Sequence, residues 1–202
     1  MTPPPGRHQI ALAMSVADAA RALVGCTLSH EDATGVIVET EAYHETEPAC
    51  HAHIGETPRS RVLFEAPGRV YVYRSYGIHA LVNLVVEPEG VGAAVLVRAL
   101  EPIEGLELMA TRRGRTAPRD LCSGPGKLTQ ALGIELVHND TSVRDGPIRL
   151  GPPPRGWERP RIVVGPRIGI TKAAELPWRF CAADSIHVSR PWPPEMRRRE
   201  AA

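Results

Sequence analysis

Residues 36–43 read Val36-Ile37-Val38-Glu39-Thr40-Glu41-Ala42-Tyr43, and residues 69–87 read RVYVYRSYGIHALVNLVVE. β-Branched and aromatic residues dominate both stretches, which is the composition of strands. In the first, alternation sets Val36, Val38, Thr40 and Ala42 on one mostly apolar face and Glu39, Glu41 and Tyr43 on the other. An unpaired buried carboxylate costs several kcal/mol, so two acids on one strand face either meet solvent or line a cleft. The alternation alone leaves both open. The second stretch divides at Gly77 into strands over 69–76 and 78–87, joined as a hairpin or tight corner. Three of the four tyrosines, Tyr71, Tyr73 and Tyr76, fall within six positions, and the fourth is Tyr43. Strand tyrosines ordinarily pack in a core. Tyr76, at a corner beside a glycine, is instead placed to project outward, as a side chain that stacks on or wedges between bases must.

Working outward, Ser15 N-caps a helix over 16–24, with Asp18 three residues on and Val16, Ala20, Leu23 and Val24 on one stripe. A strand over 93–100 leads to Pro102, which opens a helix through Arg113 that Gly114 ends. A short helix follows Ser123-Gly124-Pro125. Residues 144–160, rich in proline, glycine and arginine, read as an exposed connection, and strands near 161–170 and 185–189 complete the sheet. A few helices among mostly hairpin-like strands make one α+β domain, compact over residues 10–190, with loose tails at 1–9 and 191–202.

The 202 residues suit one core, and a net charge of +1 means that any polyanion-binding surface is a local patch. Cys26, Cys50, Cys122 and Cys181 are widely spaced and include no CxxC pair. They suggest neither a zinc ribbon nor a disulfide framework. No stretch approaches the length of a spanning helix, so the expectation is an intracellular protein without a membrane partner. Cys50, His51 and His53 near Glu45 and Glu47 match no standard zinc spacing, and no metal is expected. GPGKL (124–128) lacks both the leading glycine and the trailing Ser or Thr of a phosphate loop.

The segments IVETEAY (37–43), ACHAH (49–53), TPRSRVLF (57–64), RVYVYRSYG (69–77), VLVRALEPIEGLE (95–107) and LCSGPGKLTQALG (121–133) together resemble the alkyladenine (3-methyladenine) DNA glycosylases, in order and over most of the chain. The resemblance implies a compact domain with a curved antiparallel sheet, no cofactor, and a monofunctional enzyme in which water attacks the sugar. It implies that Glu41 is the water-activating base and Glu39 a supporting position. Tyr43, His51 and Tyr73 match the walls that hold a flipped base. Asn83 matches a pocket residue that disfavours guanine's amino group, and Tyr76 matches the side chain that fills the gap left in the duplex. Arg98 matches the arginine that holds the water and Glu41, and the carbonyl of Ile168 a further contact to that water. Thr57, Arg113 and Lys127 match contacts to the DNA backbone. The loop HETEPAC (44–50) lacks the Gly-Pro common in the family, and the chain diverges after Asp140.

These residue types suit the chemistry. A stacked base must be extruded before its glycosidic carbon can be reached. Cleavage then passes through an oxocarbenium-like state with a carboxylate activating water. An N-alkylated purine already carries positive charge, so one carboxylate suffices and no general acid is required. A cation at Arg98 is expected to keep Glu41 ionised near neutral pH. Arg112, Arg113, Arg115, Arg119 and Lys127 form a basic stretch for phosphates. The expected partner is double-stranded DNA containing damaged purines, including hypoxanthine. The protein is expected to act as a monomer, in the cytoplasm (nucleoid) if bacterial. Three rival readings are a lyase acting through Lys127, a non-catalytic nucleic-acid module and a hydrolase of free nucleosides.

Overall fold

The computed structural model describes residues 6–197. In chain order the elements are α1 (Arg7–Ala11), α2 (Val16–Leu23), β1 (Thr27–His30), β2 (Ala33–His44), β3 (Arg69–Ser75), β4 (His79–Val85), β5 (Ala93–Glu104), α3 (Leu106–Arg113), α4 (Pro118–Cys122), α5 (Pro125–Leu132), β6 (Thr141–Ser142), β7 (Ile148–Gly151), β8 (Ile162–Gly165), β9 (Arg179–Ala182) and α6 (Pro194–Arg197). All strands join one antiparallel sheet in the order β6-β3-β4-β5-β2-β1-β7, with β9 also on β2 and β8 on β9. The two ends of that order, β6 and β7, are joined by residues 143–147 and touch, so the sheet curls until it is nearly closed. The architecture is the α+β single domain with a curved antiparallel sheet that the sequence and its resemblance imply.

Strand β2 is the centre of this sheet. One edge pairs with β5 along its length, while the other pairs with β1 at its start and β9 at its middle. Both faces of β2 are covered: Val36, Val38, Thr40, Ala42, Glu39 and Glu41 are all fully buried. Helix α2 lies against it, with Thr40 Oγ1 donating to the Ala20 carbonyl at 2.8 Å. Val16, Ala20, Leu23 and Val24, the expected stripe, are buried, each large side chain contributing about 1.5–3 kcal/mol. Ser15 caps α2, its hydroxyl accepting from the Asp18 amide and donating to the Asp18 carboxylate.

The β3–β4 hairpin forms as read, turning through Tyr76 and Gly77 at φ of 49° and 72°, with the Ile78 amide donating to the Ser75 carbonyl. Two successive positive φ angles are the signature of the hairpin turn whose twist matches its strands, and glycine supplies one without strain.

Four expectations need correction. The helix assigned from Pro102 starts at Leu106, because β5 continues to Glu104. Gly105 then turns the chain at φ 72°, so close to Asp32 that a Cβ would lie 2.3 Å from its carbonyl oxygen. Residues 185–189 are not a strand; β9 lies earlier, and the Ser189 donors serve the buried Glu39 instead of a ladder. The connection 144–160 contains β7, whose Ile148 and Leu150 are buried on β1. Parts of both expected tails are structured: residues 7–9 lie in α1, and α6 buries Met196. Residues 1–5 and 198–202 of those tails lie outside the described residues.

Candidate active site

The register between β2 and β5 passes from Ile37↔Leu100 to Glu39↔Ala99 and then to Thr40↔Val97, skipping Val38 on one strand and Arg98 on the other. Such irregularities re-aim side chains. Here they put the Arg98 guanidinium between the two acids, its Nε donating to Glu39 Oε1 and its Nη1 to Glu41 Oε2, both at 3.1 Å.

The two carboxylates have different surroundings. Glu39 also accepts from Arg179 Nε at 2.7 Å, the Ser189 amide at 2.7 Å and the Ser189 hydroxyl at 2.9 Å. It is buried and fully occupied, a joint between β2, β5, β9 and the chain after β9. Glu41 accepts three hydrogen bonds: from Arg98, from the Tyr43 hydroxyl at 2.8 Å to Oε2, and from the Ile168 amide at 2.7 Å to Oε1. An ionised carboxylate offers about four acceptor sites, so one remains. Burial pushes the Glu41 carboxyl above its ordinary value. Arg98, the Ile168 N–H and the Tyr43 hydroxyl pull it back without cancelling that rise, and Glu39 adds to it. Arg98 therefore limits the rise in Glu41's pKa but does not abolish it, which modifies the simpler expectation of an acid held ionised by its arginine. Burial opposes the charge on Arg98 itself, but the two carboxylates prevail and raise its pKa.

The three groups that hold Glu41, namely Tyr43, Arg98 and Ile168, all line one cleft of about 580 Å³, within the range of ligand sites. His51 and Tyr73 line it as well, with ring centroids 4.6 Å apart in an edge-to-face arrangement. His51 shares a hydrogen bond with the Tyr71 hydroxyl at 3.0 Å, and burial followed by the nearby Arg59 charge lowers its pKa, favouring the neutral ring. Burial pushes the Tyr73 hydroxyl up to about 12 and the Tyr43 hydroxyl higher still, so both remain protonated donors. Tyr76 stands at the rim with 86% of its surface exposed.

Asn83 is 5% exposed and lines a second, much smaller cavity of about 30 Å³ that shares Tyr43, Ala49, His51 and Tyr73 with the cleft. Its Nδ2 donates to the Tyr71 carbonyl, which fixes the amide's orientation. Arg113 and Lys127 line the far side of the cleft. A bridge between Ala99 and Ser123 sets the start of α5, and so Lys127, beside β5.

Not every expected residue converges. Thr57 does not line the cleft; its hydroxyl shares a 2.8 Å hydrogen bond with Ser60 and closes a local turn. Arg112 leaves the basic stretch to pair with Glu31. Ile168 reaches Glu41 through its amide; the contact expected of its carbonyl is to the attacking water, not to Glu41. The side chains that might have suggested a metal site take separate partners: His51 meets Tyr71, His53 meets the Glu45 carbonyl, and Glu47 meets Arg167. Sequence reasoning missed Arg59, whose guanidinium lies over Tyr73, and the pair Arg167–Glu47 behind Tyr43. An arginine in TPRSRVLF gives no sign of facing inward, and no local spacing links residues 120 positions apart.

Known proteins resemble this chain over most of its length. A protein of Rhodopseudomonas palustris (strain ATCC BAA-98 / CGA009) named "Putative 3-methyladenine DNA glycosylase" is 55% identical over 181 residues, covering 90% of this chain and 86% of its own length. Proteins of the same name from R. palustris strain HaA2 and from Nitrobacter winogradskyi are each 52% identical, over 94% and 88% of this chain and 92% and 84% of their own lengths. The model of the methylpurine-DNA glycosylase family matches residues 11–186, a span that contains every cleft residue from Tyr43 to Ile170. The chain belongs to the methylpurine-DNA glycosylase family.

Proposed function

We propose that this protein is a base-excision-repair DNA glycosylase that flips alkylated or deaminated purines, 3-methyladenine and hypoxanthine among them, out of duplex DNA. It hydrolyses the N-glycosidic bond with water activated by Glu41 and leaves an abasic site. The observation that carries this reading is a fully buried carboxylate, itself behind the cleft wall, held by three groups that all line an aromatic cleft with an exposed tyrosine at its rim.

Tyr76 enters the stack as the nucleotide leaves it, offsetting part of an extrusion cost of a few kcal/mol. Tyr43, His51 and Tyr73 then hold the base, each good platform contributing about 1–3 kcal/mol, and their electron-rich rings favour a cationic purine. Asn83, at the small cavity behind them, tests the exocyclic edge. A water on the open site of Glu41, beside the Ile168 carbonyl, gives that carboxylate a proton as its oxygen bonds to C1′. The purine departs with the electron pair of the C1′–N bond. Arg98 stabilises the ionised base before this transfer. Arg113, Lys127 and Thr57 contact backbone phosphates. The reaction is monofunctional, uses no cofactor or metal, and is carried out by a monomer on double-stranded DNA inside the cell, in the nucleoid if bacterial. No helix among the described residues is long and apolar enough to cross a membrane.

Single-turnover excision from duplexes carrying 3-methyladenine, 7-methylguanine, hypoxanthine or ethenoadenine, alongside free deoxyinosine, tests this. At least one duplex should lose its purine while the free nucleoside stays intact. Equal cleavage of the free nucleoside, or release from none of the duplexes, would overturn the proposal.

A further inference from the structure

Arg167 stands next to Ile168 but does not line the cleft, and its side chain is fully buried. Its Nη1 donates to Glu47 Oε1 at 2.6 Å and to the Ala42 carbonyl at 2.9 Å; its Nη2 donates to Glu47 Oε2 and to the Ala173 carbonyl, both at 3.1 Å. The guanidinium carbon lies 4.6 Å from the centre of the Tyr43 ring and 5.5 Å from that of Trp178. One planar cation therefore ties together the strand between Glu41 and Tyr43, the ring of Tyr43, the loop before His51 and the loop that carries Ile168. A bidentate arginine–carboxylate pair fixes orientation as well as distance.

Two of the three donors to Glu41, the Tyr43 hydroxyl and the Ile168 amide, thus rest on this clamp. We propose that Arg167, held by Glu47, is a positioning residue for the glycosylase reaction: it aims the Tyr43 hydroxyl and the Ile168 amide at Glu41 and so keeps that carboxylate available as a base. The inference rests on the function proposed above. The charged and titratable groups that face Glu41 are Arg98 from β5, Glu39 and Tyr43 from β2, Tyr73 from β3 and Cys181 from β9. Arg167 acts on Glu41 through Tyr43 and Ile168. A lysine at this position keeps a charge but cannot span four acceptors in one plane and lies less well on a ring.

The test compares the wild-type chain with Arg167→Lys and with Glu47→Gln, the second chosen because it keeps the volume of the buried pair. Two measurements are made on each. One is release of 3-methyladenine from dimethyl sulfate-treated duplex DNA as a function of pH, corrected for active fraction. The other is the titration of the Glu41 carboxyl by carbon-13 NMR, assigned with Glu41→Gln. The variants should lose about tenfold or more in maximal rate with little change in duplex affinity, and the acid limb of the rate profile and the Glu41 titration should both move about one unit higher. Loss of activity with neither the limb nor the titration moved would show a merely structural role and overturn the inference. A Glu41 titration shifted in the variants, together with a wild-type protein that releases no base, would instead leave the clamp standing and remove the proposed function.

Discussion

Replacing Arg98 with methionine leaves two fully buried carboxylates beside each other without the cation that bridges them. Glu39 retains Arg179 and both Ser189 donors, whereas Glu41 retains only two neutral donors, Tyr43 and Ile168, so Glu41 is the group that takes up a proton. Breaking a buried ion pair by removing one partner costs about 3–5 kcal/mol. At about 2–4 °C per kcal/mol for a chain of this size, the Tm falls by about 6–20 °C. The loss depends on pH with a definite sign. Burial already raises the Glu41 pKa above its ordinary 4.5, so the folded chain binds that proton more tightly than the unfolded chain does. Stability conferred by the proton is present at low pH and is lost as pH rises from about 4.5 through the folded value. Arg98→Met raises the folded value further. The variant's deficit should therefore grow from pH 5 to pH 8, with a slope of up to about 1.4 kcal/mol per pH unit for one proton. Urea denaturation of both proteins across that range is the assay. A deficit equal at every pH, or none at pH 8, would refute the reasoning.

Two other outcomes are expected. Tyr76→Ser should slow excision from matched lesion pairs by about tenfold and affect mispaired lesions less, because a mispaired nucleotide is already cheaper to extrude; equal losses in both contexts, measured by single-turnover kinetics, would argue against a wedge. All four cysteines are buried, and burial pushes the Cys50 and Cys122 thiols up to about 12, so a thiol reagent at pH 8 should label the native protein slowly and react with four thiols once it is denatured.

The hairpin at Tyr76-Gly77 and the strand carrying Glu39 and Glu41 were legible in the sequence because strand periodicity and turn chemistry are local. The choice between solvent and cleft for Glu39 and Glu41 was not, since it depends on β5, β9 and the loop at Ile168 converging on β2 from distant parts of the chain. Strand β7 escaped notice because its alternation, Ile148-Arg149-Leu150, is too short to stand out among prolines and glycines. The supposed strand at 185–189 failed for the opposite reason. Ile186 and Val188 alternate in the sequence, but Ile186 is exposed while His187, Val188 and Ser189 are buried in a row, and the backbone is drawn to Glu39. Family resemblance supplied the residue roles, while the structure supplied the electrostatics. Glu39 accepts four hydrogen bonds and Glu41 three, and the burial of Glu41 outweighs the arginine beside it.

The most direct measurement is single-turnover excision by Glu41→Gln at saturating enzyme, paired with its affinity for the same lesion duplex. The amide preserves the volume of the side chain and can still accept from Ile168, but it cannot take a proton from water. The rate should fall by about 10²–10⁴-fold, the contribution of a positioned general base, with the affinity unchanged. Excision at the wild-type rate would contradict the assignment of Glu41 as that base.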